Sequence, residues 1–239
     1  NMVDLGKSVV EHGAEFGIGM DGDGDRLGVV DENGDFIHPD RLIGIFAKDI
    51  LSRITEDTSE DGRTILFDVK CSMAIEEAIQ NLGGIPRMVR TGHTFMKTEL
   101  REHPDIPFAG EMSGHIFFAD NYYGFDDALY ASIRLLNILS KKFSLNKFLN
   151  TFSSCYSTPE IKVYCEDTLK FTVIEQIKKK IYKKYKNINF IDGIRVNTLH
   201  GWWLIRASNT QPAIIIRCEA NNEKNMQSLI DEVKSILLS

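Results

Sequence analysis

Three aspartates, Asp21, Asp23 and Asp25, alternate with Gly22 and Gly24 and run straight into Arg26. Carboxylates at this spacing can curl around one hard cation, because glycine permits tight backbone angles and adds no bulk. The run is pinned between the apolar segments FGIGM and LGVV, so the carboxylates are held close at a strand end. Their mutual repulsion there is costly unless a cation relieves it. Two other readings stay open: a calcium loop, although the terminal Glu and the spacing of an EF-hand are missing, and a solvated acidic turn. Magnesium suits the position better, since it works beside phosphate oxygens and Arg26 offers those oxygens a second positive group.

Two further groups of residues have chemical potential. Lys70, in DVKCS, stands just past the apolar run RTILFDV, where open α/β sheets bind ligands. RTGH ends in Gly92 and His93, and GEMSGH supplies Glu111, Ser113 and His115. A carboxylate can take paired sugar hydroxyls while a nearby histidine or lysine moves a proton near neutral pH. A purely structural role is the competing reading for each histidine. In RASNTQP, Arg206 offers a planar fork, Ser208 and Thr210 hydroxyls, and Asn209 an amide. Together with the N–H groups of a tight turn they describe an anion cradle, or else a polar turn closed by Pro212. Of Trp202 and Trp203, one is expected in the core and one partly exposed.

The elements that must carry these residues can be read from periodicity. Residues 2 to 12 have loose helical spacing, and EFGIGM, the acidic run and LGVVDENGD read as strand, loop and strand. A helical stripe runs from Arg41 to Ile54. RTILFDV (63–69), SMAIEEAIQNLG (72–83, with Ser72 as N-cap) and PRMVRT then form a β-α-β unit. Helices are expected over 93–103 and 126–143, with PFAGEMSGHIFFAD holding a loop between apolar segments. The fold class expected is α/β: a mixed, mostly parallel sheet covered by helices on both faces. After a polar connector, a small α+β domain starts near residue 151, with the strand IKVYC, a Lys-laden helix, three successive strands and a terminal helix.

Composition narrows the class of function. The 239 residues are 43% hydrophobic, enough for real cores, and 28 Lys plus Arg against 34 Asp plus Glu give a net charge of -6. That balance argues against a nucleic-acid-binding surface while leaving room for a basic pocket. The four cysteines form no CxxC pair and are expected as free, buried or half-buried thiols in a reducing cytoplasm. Neither a membrane helix nor a secretory leader is evident, and the expected location is cytoplasmic.

Taken in order, DGDGDR (21–26), DVKCS (68–72), RTGH (90–93), GEMSGH (110–115) and RASNTQP (206–212) closely resemble the alpha-D-phosphohexomutase family, on its bacterial phosphomannomutase/phosphoglucomutase side. The resemblance implies an intramolecular phosphotransferase that interconverts hexose 1-phosphate and hexose 6-phosphate through a phosphoserine and a bisphosphorylated sugar. It implies Mg2+ on Asp21, Asp23 and Asp25, activation by a hexose bisphosphate, and no nucleotide cofactor. Arg26, Lys70, His93 and His115 take catalytic roles. Gly92, Glu111 and Ser113 bind the sugar, and Arg206, Ser208, Asn209 and Thr210 grip its non-transferring phosphate. Met112 resembles the hexose-phosphate branch. The family has four domains with the phosphoserine in the first, in a TASHNP-like loop that this chain lacks. Residues 1–35 therefore correspond to the end of the second domain, 36–150 to the third and 151–239 to the fourth. The expected partners are a hexose phosphate and the missing N-terminal domains, with no nucleic acid or membrane, in a monomer or weak dimer. A metal-dependent sugar phosphatase and an inactive sugar-phosphate-binding fragment are the alternatives.

Overall fold

The computed structural model describes residues 2–141 and 145–238, and the chain divides into two units, 1–153 and 154–239. The first opens with α1 (Met2–His12), packed on the strands β1 (Phe16–Met20), β2 (Leu27–Asp31) and β3 (Phe36–Ile37). β1 and β2 pair antiparallel from Phe16 opposite Asp31 to Met20 opposite Leu27, so the acidic run is the tip of a hairpin. The Asp31 carboxylate fixes the next turn by accepting the backbone N–H groups of Asn33 and Asp35, each at 2.9 Å.

Next come α2 (Pro39–Leu51), β4 (Thr64–Asp68), α3 (Met73–Asn81), β5 (Ile85–Val89), α4 (His93–Glu102), β6 (Phe108–Gly110), β7 (Ile116–Phe118), α5 (Ala128–Ser140) and α6 (Leu145–Leu149). The sheet order is β5-β4-β6-β7, with β4 parallel to both neighbours and β7 antiparallel to β6. Every residue of β4 is buried, which explains its unbroken apolar run. Alternation sorts the strand residues onto two faces. Ile65, Phe67, Phe108 and Phe118 meet α2, α3 and α5, while Leu66, Val89, Ala109 and Phe117 meet Met96 and Leu100 of α4. Helices thus cover both faces of a mostly parallel sheet. The cap expected at Ser72 is present, its Oγ accepting the Ala74 N–H at 3.1 Å.

α5 starts after Asp127, whose carboxylate accepts the Tyr130 N–H at 2.8 Å and caps the helix. The last two positions of the helix expected over 126–143 lie outside the described residues. The supposed polar connector contains α6, because Leu145 and Phe148 bury themselves against the same core.

The second unit contains β8 (Tyr156–Ser157), β9 (Ile161–Tyr164), α7 (Lys170–Ile181), β10 (Ile188–Asn189), β11 (Ile194–Thr198), β12 (Gly201–Ala207), β13 (Ala213–Ala220) and α8 (Glu223–Leu238). Its sheet is antiparallel, in the order β10-β11-β12-β13-β8, with β9 also on β13. Val196, Trp203, Ile205, Ile214 and Ile216 face α7 and α8. Trp202 points to the opposite face, and here the sequence expectation needs correction, since both tryptophans are fully buried. The Arg195 guanidinium covers the Trp202 ring at 3.9 Å, and the indole N–H donates to Glu219 at 3.0 Å. A strand-period argument can place the two rings on opposite faces, but it does not reveal that charged side chains roof the second face.

Gly193 precedes β11 at φ +76°, and a Cβ there would lie 2.4 Å from the Ile205 carbonyl oxygen and 2.7 Å from the Arg206 Cα. Gly193→Ala should therefore destabilise the second unit by about 2 kcal/mol, read by chemical denaturation. An unchanged midpoint would show that the turn can relax.

Candidate functional site

The hairpin tip brings Asp21, Asp23 and Asp25 together, one oxygen of each lying within 4.8 Å of the others. Arg26 braces the tip. Its backbone N–H donates to Asp21 Oδ1 at 3.2 Å, its Nε donates to Asp21 Oδ2, and the same Nε is 3.7 Å from Asp25 Oδ1. Burial opposes ionisation of Asp21, but the backbone and side-chain donors of Arg26 outweigh it and hold the carboxyl down at about 2. Burial pushes Asp25 upward, and the charges of Asp21, Asp23 and Asp126 push the same way against the pull of His115. Among the described residues, Asp25 Oδ1 is buried with no hydrogen-bond donor. An all-oxygen donor set with one buried, unsatisfied member fits a hard divalent cation.

Backbone contacts tie this tip to the next layer. Leu27 N–H donates to the Gly114 carbonyl at 3.0 Å, Ala128 N–H donates to the Gly24 carbonyl at 3.0 Å, and Arg26 and His115 form a one-residue antiparallel bridge. Gly114 sits at φ +97°, and a Cβ there would come within 3.0 Å of the Leu27 carbonyl oxygen. Glycine in GEMSGH is thus required by the close approach of two loops. The result places His115 Nδ1 3.6 Å from Asp25 Oδ2, with the His93 and His115 rings stacked at 5.5 Å.

Lys70, Gly92, Glu111 and Ser113 gather at the ends of β4, β5 and β6. Glu111, 2% exposed, accepts the Gly92 N–H at 3.2 Å and the Ser113 hydroxyl at 3.0 Å. The organiser of these loops is Asp68, which sequence reasoning did not single out. Fully buried at the end of β4, it accepts Met112 N–H at 2.9 Å with Oδ1 and the Thr91 hydroxyl at 3.0 Å with Oδ2, and Lys70 Nζ stands 3.9 Å from Oδ2. Asp126 was missed as well. Half-buried before α5, with its side chain only 6% exposed, it stands near Lys97, His93 and His115. Asp126 has no partner close in sequence that could have signalled it, and the near partners of Asp68, Lys70 and the Cys71 thiol donating at 3.1 Å, do not reveal the distant loops it holds.

In the second unit, RASNTQP links β12 to β13. Ser208 Oγ accepts the N–H groups of Thr210 at 3.4 Å and Gln211 at 3.1 Å, so this hydroxyl shapes the turn, while Asn209 and Thr210 are exposed at its tip. Arg206 is buried and pinned, its Nε donating to Asp192 at 2.9 Å, and among the described residues its Nη2 has no acceptor. Such a guanidinium is oriented by one carboxylate and retains donors for an anion.

Comparison with known proteins shows the family. Residues 38–156 match the family description "Phosphoglucomutase/phosphomannomutase, alpha/beta/alpha domain III", and residues 160–236 match "Phosphoglucomutase/phosphomannomutase, C-terminal domain". The chain belongs to the alpha-D-phosphohexomutase family. It is 41% identical over 239 residues to a phosphomannomutase/phosphoglucomutase of Pseudomonas putida, covering 100% of this chain and 50% of that protein. With a phosphoglucomutase of Neisseria meningitidis it shares 38% over 241 residues, again 100% of this chain and 51% of the relative. A solved phosphoglucomutase/phosphomannomutase family protein from Burkholderia thailandensis superposes with a TM-score of 0.88 at 37% identity, over 99% of this chain and 49% of that one. The chain thus spans about half the length of these relatives, in their domain III and IV region. No helix among its described residues is long and apolar enough to cross a membrane.

Burial, reinforced by Asp68, lifts the Glu111 carboxyl from 4.5 to about 7, despite the opposing pull of Ser113, Lys70 and the Gly92 N–H. The folded chain therefore binds a proton here more tightly than the unfolded chain. Stability from this group is complete below pH 4.5 and declines as pH rises toward 7. Glu111→Gln should remove about 3 kcal/mol of pH dependence from the unfolding free energy across that window. Parallel stability profiles for the two proteins would refute the assignment.

Proposed function

We propose that the whole protein is a phosphohexomutase interconverting hexose 1-phosphate and hexose 6-phosphate, with glucose or mannose as the sugar, and that this chain supplies its metal, sugar and phosphate sites. The observation that carries the reading is the joining of the three-aspartate tip to the His115 loop through the Leu27–Gly114 backbone contact and to the start of α5 through Ala128–Gly24. Asp21, Asp23 and Asp25 would hold Mg2+, which when bound stabilises negative charge on a phosphoryl group. Arg26 and Lys70 present cationic groups to the phosphoryl group in transit. Glu111 and Ser113 accept and orient sugar hydroxyls, and Gly92 holds Glu111 in place. Burial lowers the proton affinity of His115, against the pull of Asp25 and Asp126, leaving a neutral ring able to take the proton of an attacking hydroxyl and return it to a leaving one. His93 stacks beside it. In the second unit Arg206, Ser208, Asn209 and Thr210 offer a cradle for the non-transferring phosphate.

In the mechanism the resemblance implies, the transferable phosphoryl group is carried by a serine in a TASHNP-like loop, and these 239 residues contain no such loop. The chain alone should accordingly bind hexose phosphate weakly and turn over none. The whole protein should convert hexose 1-phosphate only with Mg2+ and a hexose bisphosphate primer, and Asp25→Asn should lower kcat by on the order of 100-fold. Release of inorganic phosphate with no need for primer would favour a phosphatase and sink the mutase reading.

A further inference from the structure

Two buried carboxylates meet where β4 and β6 end, and the fold treats them unequally. Asp68 accepts three donors, the Met112 N–H at 2.9 Å, the Thr91 hydroxyl at 3.0 Å and the Cys71 thiol at 3.1 Å, with Lys70 Nζ 3.9 Å from its Oδ2. Glu111 accepts only neutral donors, the Gly92 N–H at 3.2 Å on Oε1 and the Ser113 hydroxyl at 3.0 Å on Oε2. Each of its oxygens keeps a lone pair beyond those bonds. One loop ties the two acids together, because Glu111 immediately precedes the Met112 N–H that Asp68 holds. Burial opposes a charge on Glu111 most, Asp68 repels it, and Lys70 attracts it with a charge that also faces Asp68. The ionisable rings on the same two loops, His93 and His115, have Nδ1 3.4 Å and 2.9 Å from Asp126 Oδ2.

We infer, resting on the mutase reading of this site, that Glu111 is a proton-linked sugar receptor: it holds a proton while the loop is empty and releases it when the hydroxyls of a hexose phosphate arrive. In that exchange the carboxyl O–H bond breaks, the proton leaves for water, and the freed lone pairs accept hydroxyl hydrogens in its place. Three observations carry it. Two buried carboxylates beside one lysine are disfavoured as a doubly charged pair, and Asp68, with more donors, is the one that keeps its charge. The donors already on Glu111 are a backbone N–H and a hydroxyl, neither of which brings a compensating charge. A sugar ring presents adjacent hydroxyls, the kind of donor that favours the ionised form, and inorganic phosphate presents no ring hydroxyls. Because Glu111 is lifted to about 7, the exchange falls near neutral pH. Sugar binding should therefore weaken as pH falls below that value, by about tenfold for each pH unit when the linkage is complete.

The test reads the carboxyl itself. In the whole protein, with a carbon isotope label on the glutamate side-chain carboxyls, one resonance should titrate at about pH 7, above the others, and be missing in Glu111→Gln. Ser113→Ala, which removes a donor to the ionised form, should move the same resonance further up. At about pH 6 the free site should be about tenfold more protonated than ionised, and saturating hexose 6-phosphate should reverse that ratio, whereas inorganic phosphate should leave it unchanged. If no labelled carboxyl of the unaltered protein titrates near neutral pH, the inference is overturned without any variant having to fold. A Glu111 that keeps its proton at saturating hexose 6-phosphate overturns it equally. Mutase turnover is scored separately. Turnover with the proton retained rejects the linkage and keeps the function, while sugar-dependent release in a protein without turnover rejects the mutase and keeps the linkage.

Discussion

Crowding of negative charge at the tip of one hairpin is the constraint around which the first unit is organised. Asp21, Asp23 and Asp25 are brought within reach of one another by a turn whose alternate residues are glycine. Like charges this close raise one another's proton affinity, and the fold answers with donors. Arg26 neutralises Asp21, His115 attracts Asp25, and Lys97 engages the neighbouring Asp126. Arg26 cannot satisfy all three tip carboxylates, and the buried, undonated oxygen of Asp25 marks what is left over. A divalent cation held by these oxygens would complete that balance.

Rigid placement comes from the backbone. The tip is held by main-chain contacts at Leu27 and Ala128, and the opposing loop approaches because Gly114 carries no Cβ. Behind that loop, Asp68 uses both carboxylate oxygens to fix Met112 and Thr91, so the ends of three strands are locked around one buried anion. The second unit repeats the arrangement on a smaller scale. There Asp192 orients Arg206, and Gly193 lets their strands approach. In both units a buried carboxylate aims groups suited to contact a ligand.

Much of this was legible in the sequence where the signal is local. The apolar run of β4, the capped α3 and the glycine-spaced aspartates each follow from residues a few positions apart. The family itself was legible in the order of five short motifs. Long-range partners were not. Asp68 meets Met112 across 44 residues, and Lys97 meets Asp126 across 29, with nothing in either segment to pair them. The tryptophan pair failed for a related reason. Burial of Trp202 depends on Arg195 from the neighbouring strand, a roof that hydrophobicity alone does not foresee. The turn chemistry of RASNTQP was equally hidden: Ser208 Oγ accepts two backbone N–H groups, with Asn209 and Thr210 exposed at the tip.

The claim that residual carboxylate charge at the hairpin tip makes a cation site is tested most directly by the thermal unfolding midpoint of the chain as Mg2+ is raised. Asp23 is the informative control, because it is exposed and part of the triad. The midpoint of the unaltered chain should climb with Mg2+ as expected for a ligand that binds the folded state alone, and Asp23→Asn should flatten the climb. A midpoint indifferent to Mg2+, or one that rises equally in both proteins, would contradict the account.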